Sequence, residues 1–212
     1  MLTVHHLGIS QSDRIVWLCE ELDIPYELVR YERDAVTRMA PPDYKALHPF
    51  GTAPVITDGD LVLGESGAII EYLIATHGGG RLRVRPGEPG YADYLFWFHF
   101  ANASMMPAAM VDLIISMIGA VENDTSRALR HRLDKAYAMA EIRLAEADYF
   151  AGAEFTAADI IMLFPLTTMR LFAPRDLSPY PAIRAYLQRI GQRQPYIRAM
   201  AKADPDLPPQ LE

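Results

Sequence analysis

The stretch from Leu47 to Leu73, LHPFGTAPVITDGDLVLGESGAIIEYL, constrains the fold more than any other. Asp58-Gly59 supplies two residues that tolerate the positive φ of a tight turn. Short apolar runs flank it, so a hairpin pairing Pro54–Thr57 with Leu61–Leu63 is predicted. Pro54 has no N–H to give a sheet ladder and belongs at a strand's first residue or at a turn. Gly64, Glu65 and Ser66 then open a helix in which Ile69, Tyr72, Leu73 and Thr76 recur at helical spacing. The start of such a helix carries unpaired N–H groups and a partial positive charge, a place for an anion.

Upstream, Leu2–His6 reads as a short strand and Gly8–Ser12 as a turn. Ser10 and Ser12 are both good N-cap types for a helix running to about Leu22, with Ile15, Leu18, Cys19 and Leu22 on one face. Tyr26–Tyr31 is a strand. After Pro41-Pro42 a short helix is expected over Asp43–Leu47. Gly78-Gly79-Gly80 and the Pro- and Gly-containing segment after it stop the third helix and mark a domain boundary. Beyond it every segment reads as helix: Tyr91–Met106, broken or kinked by Pro107, Met110–Val121, the amphipathic Thr125–Asp148, one from Phe155, one from Pro181 to about Gly191, and Pro195–Lys202. Thr156 with Asp159 forms a capping box, with Phe155 at the staple position. Asp204–Glu212, with three prolines, is expected to be a loose tail.

The residues His48-Pro49-Phe50-Gly51-Thr52-Ala53-Pro54-Val55-Ile56, then Glu65-Ser66-Gly67-Ala68-Ile69-Ile70-Glu71-Tyr72-Leu73, resemble the N-terminal domain of the glutathione S-transferases. Their pattern there is Asn-Pro-x-Gly-x-x-Pro-x-Leu, a hairpin, and Glu-Ser-x-Ala-Ile-x-x-Tyr-Leu. The opening HHLGISQSDRIVWLCEELDIPYEL is similar to a branch common in bacteria. The resemblance spans nearly the whole chain and weakens after residue 90. The element order is that of a thioredoxin-like α/β domain followed by an all-α helical bundle. Expected boundaries are 1–77 for the thioredoxin-like domain, 78–88 for a linker, 89–201 for the helical domain and 202–212 for the tail.

The resemblance implies binding of glutathione and activation of its thiol, which reacts as the thiolate and is scarce at neutral pH because a free thiol titrates near ~8.5. Laid on the family pattern, the usual catalytic serine falls on Ile9, whose side chain cannot donate a hydrogen bond. Either Ser10 or a backbone N–H then serves as donor. Glu65 and Ser66 are implied to hold the γ-glutamyl end. Ala53, before an expected cis bond to Pro54, would pair with the cysteinyl part, and Thr52 could donate one bond. Arg38 and Lys45 are candidates for the glycine carboxylate. The second-substrate pocket is expected between the domains, from Ile9, Trp97, Phe100, Asn102, Ser104 and Met105. Cys19 is expected to be a buried core thiol.

Glutathione is thus expected as co-substrate, with no metal: His5 and His6 alternate on a strand and point to opposite faces. The expected reaction is conjugation of glutathione to a small hydrophobic electrophile. The alternatives are glutathione-dependent reduction of disulfides or peroxides, and non-catalytic binding. The family also implies a homodimer. A net charge of −7 and a pI near 5.4 argue against nucleic acid as partner. One cysteine allows no internal disulfide. No charged flank with an apolar run marks a signal peptide, and no apolar stretch is expected to reach the roughly 20 residues of a membrane span, so the chain is expected to be cytoplasmic.

Overall fold

The computed structural model describes residues 1–212. The first half forms β1 (Leu2–Leu7), α1 (Asp13–Glu21), β2 (Glu27–Tyr31), α2 (Pro42–Lys45), β3 (Val55–Asp58), β4 (Leu61–Gly64) and α3 (Ser66–Thr76). The sheet order is β2-β1-β3-β4. β2 runs parallel to β1, while β3 and β4 are antiparallel to their neighbours. The hairpin forms where expected, but its two turn residues are Gly59-Asp60, one position on from the expected Asp58-Gly59: Asp58 ends β3 opposite Leu61, and only Gly59 takes a positive φ, 59°. β1 is central, so Val4 and His6 are both fully buried.

The second half is helical: α4 (Tyr91–Phe100), α5 (Met106–Met117), α6 (Asp124–Glu146), α7 (Ala157–Leu166), α8 (Pro181–Gly191) and α9 (Gln194–Ala203). The chain condenses into two compact units, one of residues 1–83 with 192–209, the other of residues 84–191 with 210–212. The sequence boundaries placed α9 in the helical domain and 202–212 in a loose tail. Instead α9 lies in the first unit, and the residues after it are bonded in place. Trp17 of α1 meets Tyr196 of α9 edge-on at 5.2 Å. Glu21 accepts two bonds from Arg193, at 2.7 and 2.8 Å. Glu20 accepts from Arg198 at 3.0 Å and from Lys202 at 2.5 Å.

Pro107 was expected to break or kink its helix. Instead α4 and α5 run on through a π turn at Ala101–Met105. The wider turn accommodates a residue that lacks the N–H and crowds the preceding turn. The joined run, Tyr91–Met117, has 27 residues and a mean hydropathy of 1.4 over its most apolar window. By length and composition alone it could cross a membrane, contrary to the expectation that no stretch would. In the helical unit α4 packs on α7 and α5 on α6.

α7 begins with the anticipated capping box. Thr156 Oγ1 accepts from Ala158 N–H at 3.3 Å, and Asp159 Oδ2 accepts from Thr156 N–H at 2.9 Å. Asp159 Oδ1 also accepts from Phe150 N–H at 3.0 Å, which ties the preceding loop to the helix. Burial pushes the Asp159 carboxyl up to about 6 against the bonds it accepts. The folded chain therefore holds a proton there that the unfolded chain has lost, between an ordinary Asp value of ~3.9 and about 6. The residue's contribution to stability falls as pH rises through that window and is flat above it. Asp159→Asn is expected to remove this component, read as the difference between its urea midpoints and those of the parent at pH 4 and pH 7. Asp159→Ala, which orphans two buried N–H groups, is expected to cost about 2–4 kcal/mol in the same measurement.

Candidate functional site

The turn Gly8–Ser12 joins β1 to α1 and carries the main departure from expectation. Both serines looked like caps, but Ser12 has helical backbone angles and neither hydroxyl caps α1. Ser10, only 5% exposed, donates to Leu7 C=O at 2.6 Å and stands 2.7 Å from Ser12 Oγ. Ser12, wholly buried, accepts from Leu7 N–H at 3.1 Å and lies 2.9 Å from His6 Nδ1. Ser10, expected as the thiol's hydroxyl donor, thus spends its proton on the chain itself. The N–H groups of Ser10 and Gln11 have no partner in the chain. They sit just ahead of α1, where the helix end favours an anion.

Ile9 occupies the left-handed region at φ 53°. A β-branched side chain is rarely found there. The surroundings hold it: Ile9 N–H donates to Asp204 Oδ1 at 3.1 Å, and Arg33 donates to Gly8 C=O at 2.7 Å and to Ile9 C=O at 3.0 Å. A pocket of about 210 Å³ opens there, lined by Gly8, Ile9, Arg30, Arg33, Arg38 and Asp204 among others. Arg38, a candidate for the glycine carboxylate, is therefore brought beside Ile9. Lys45 is exposed and does not line this pocket.

On the other side of the turn, Arg14 Nη1 donates to Gln11 Oε1 at 2.5 Å and to Ser66 Oγ at 3.1 Å. Burial lowers the guanidinium to about 10, with Asp13 opposing the shift, so it stays charged at neutral pH. Glu65 precedes α3 at φ 69° and is exposed, while Ser66 is buried at the helix start. Ala53-Pro54 is cis, as expected. Ala53 packs on the cluster of Leu7, Tyr44 and Val55, beside the strand end that leads into the turn. Its N–H and C=O take no backbone partner, and Thr52 is exposed. The sequence pointed to Ser66 and missed Arg14. A signal was present: a cation in a helix's first turn opposes the helix dipole, so another use for it is implied.

Of the residues expected to line a second-substrate pocket, Ile9 belongs to the first unit, and Trp97, Phe100, Asn102, Ser104 and Met105 to the second. Trp97 packs in the helical interior against Phe150 and Phe100, with ring centroids 4.9 and 5.2 Å away, and Met105 is wholly buried. Both serve the core. Phe100 and Ser104 line an apolar groove of about 350 Å³ with Pro107, Leu129 and Met139. Asn102 is partly exposed and lines none of these pockets. Cys19 is buried as expected, and burial pushes its thiol up to about 12, so it holds no thiolate.

A thioredoxin-like four-stranded domain followed by a helical domain, with a turn ahead of α1 and a cis-proline beside it, defines a class in which known proteins can be compared. The family model described as "Glutathione S-transferase, N-terminal domain" matches residues 10–76, and that described as "Glutathione S-transferase, C-terminal domain" matches residues 102–194. Glutathione S-transferase 3 of Schizosaccharomyces pombe is 34% identical, over 91% of this chain and 84% of its own length. The crystal structure of a glutathione S-transferase from Actinobacillus pleuropneumoniae superposes with a TM-score of 0.88 at 33% identity, covering 96% of this chain and 93% of that one. A sphingomonad glutathione S-transferase complexed with glutathione shares the fold, with a TM-score of 0.74 at 22% identity, over 95% of this chain and 98% of that one. The chain belongs to the glutathione S-transferase family.

The inward hydroxyls make a prediction that needs no ligand. Ser12→Ala leaves Leu7 N–H and His6 Nδ1 without a buried partner and is expected to cost about 1–3 kcal/mol in chemical denaturation. Ser10→Ala is expected to cost less, because Ser12 Oγ also lies 3.3 Å from Leu7 C=O and can take over that bond.

Proposed function

We propose that this protein binds glutathione on its first unit and conjugates the thiol to small hydrophobic electrophiles. The observation that carries the reading is the turn ahead of α1. It presents two unpaired N–H groups next to a strand end on which Ala53, preceding a cis proline, is packed. In this reading Ser66, the start of α3 and the charged Arg14 behind them take the γ-glutamyl carboxylate, and Glu65 takes its ammonium. Ala53 pairs by its backbone with the cysteinyl residue, as an added strand would. Arg38 and Thr52 reach the glycine end. The thiolate rests on the N–H groups of Ser10 and Gln11 and on the α1 dipole, with no hydroxyl donor. The family relationship and the sphingomonad relative complexed with glutathione support the choice of ligand.

The inward-facing Ser10 also favours a second reading, a glutathione-binding protein or a glutathione-dependent reductase that does not depress the thiol's pKa. Titration of the bound thiol by ultraviolet difference absorbance separates the two. Conjugation requires a value clearly below the free ~8.5. An unshifted value with binding retained sinks it. Ser10→Ala is expected to lower kcat by much less than the roughly 100-fold that follows loss of a donor facing a developing charge. Ser66→Ala is expected to weaken glutathione binding about tenfold, the usual effect of losing a charge-assisted bond.

The protein is further proposed to work in the cytoplasm as a homodimer. Phe50, beside α2, is 74% exposed, and the apolar groove beside Phe100 is unfilled within the chain. A second copy that covered both would remove apolar area from water. Sedimentation is expected to show a dimer in the parent and a shift toward monomer in Phe50→Ser; a monomeric parent would exclude this assembly.

A further inference from the structure

Asp204 follows α9 and lies far from the turn in sequence, yet one carboxylate contacts both β1 and the turn that follows it. Its Oδ1 accepts Ile9 N–H at 3.1 Å, and its Oδ2 stands 3.2 Å from His6 Nε2, poorly in line for a hydrogen bond. His6 Nδ1 reaches Ser12 Oγ at 2.9 Å, and Ser12 Oγ reaches Ser10 Oγ at 2.7 Å. A ring of polar contacts therefore runs from Ile9 through Asp204, His6 and Ser12 to Ser10, closed by the chain itself. The titratable groups around the carboxylate are His6 on β1, Arg30 on β2, Glu32, Arg33 and Arg38 in the segment after β2, and Asp206 on its own segment. Burial alone would raise the Asp204 carboxyl. His6, the Ile9 N–H and Arg30 outweigh it and hold the group below the usual carboxylate range.

The left-handed Ile9 gives these contacts a purpose. Strain of this kind persists only where the surroundings over-determine it, and it gathers at functional sites. Here Ile9 N–H is taken by Asp204 and Ile9 C=O accepts from Arg33, so both backbone polar groups of the residue are held from outside the turn. Turning Ile9 into this region aims the two peptides that follow it, those carrying the N–H groups of Ser10 and Gln11. We propose that Asp204 is a positioning residue for the reaction: it holds Ile9 left-handed so that those N–H groups are set for the thiolate. The C-terminal segment thereby becomes part of the site without touching the substrate. This inference rests on the conjugation reading above.

Amide hydrogen exchange at Ile9 and its neighbours reads the turn without any ligand. The pKa of bound glutathione and steady-state conjugation with a chlorodinitrobenzene read its consequence. In Asp204→Ala, protection at Ile9 is expected to be lost and the bound thiol to titrate closer to the free ~8.5. The kcat is expected to fall on the order of ten- to a hundredfold, the scale of a misplaced group, with KM for glutathione little changed. Asp204→Asn keeps an acceptor for Ile9 N–H and is expected to recover most of the protection and most of the rate. Because Gly adopts positive φ freely, Asp204→Ala is expected to cost less in an Ile9→Gly background. Unchanged exchange at Ile9 in Asp204→Ala overturns the proposal. So does a loosened turn with the thiol pKa and kcat unchanged, which would leave Asp204 a purely structural group. If the parent binds no glutathione, the conjugation reading falls instead, and the exchange comparison alone decides whether Asp204 holds the turn.

Discussion

Two carboxylates on α1 govern where the last helix lies. The side chains of Glu20 and Glu21 are almost completely covered, and a buried charge costs several kcal/mol unless it is paired and hydrogen-bonded. Glu21 meets that demand with a bidentate bond from Arg193 and a third from Trp17 Nε1 at 2.9 Å. Glu20 meets it with Tyr26 O–H at 2.8 Å, Arg198 and Lys202. Burial pushes the Glu20 carboxyl up, and its three donors more than reverse this, so its pKa ends below the ordinary value. A depressed carboxylate stabilises the fold above its unfolded pKa and loses that contribution in acid. All three cations lie on α9 or at its N-cap, which explains why that helix joins the thioredoxin-like unit although the helices before it in sequence form the other.

The docking of α9 reaches the site through a short lever. α9 ends at Ala203, and the next residue is Asp204, so fixing the helix fixes the carboxylate that meets Ile9. The energetics are balanced at this scale. A residue held at an unfavourable φ costs of order 1–3 kcal/mol. The bonds from Arg33 and to Asp204 involve charged partners, and such bonds contribute about 1.5–3 kcal/mol each. Two or three of them suffice to keep Ile9 in place, and losing one brings the balance near zero. The turn is therefore sensitive to groups far from it in sequence, which a turn of glycines would not be.

Legibility in the sequence follows the range of the interaction concerned. The β3–β4 hairpin, the α7 capping box and the burial of Cys19 were readable, because each depends on neighbours within a few residues. Ser66 and the cis bond at Pro54 came from the family pattern rather than from periodicity. The two serines of the turn misled for a physical reason: a serine ahead of a helix has two local uses, and which one wins depends on His6 and Leu7, placed by the sheet. The helical allegiance of α9 was hidden because its amphipathic face says that it packs, not on what. Trp97 and Met105 were ambiguous for a like reason, since an aromatic or a methionine suits a core and a pocket equally well.

The electrostatics of the first unit also bear on selectivity. The chain as a whole carries −7, so diffuse attraction for anions is absent and any affinity for them must be local. Arg14 supplies a local charge: buried, bonded to Gln11 and Ser66, and still protonated at neutral pH with a pKa of about 10. The start of α1, which carries Arg14, and the start of α3, whose Ser66 it bonds, add partial positive charge without adding a titratable group. An anion bound there would meet one fixed cation and several oriented N–H groups, in an arrangement built before the ligand arrives. Such preorganisation favours a ligand whose anionic groups match the spacing of the two helix starts over a single small anion, because only the former uses both at once.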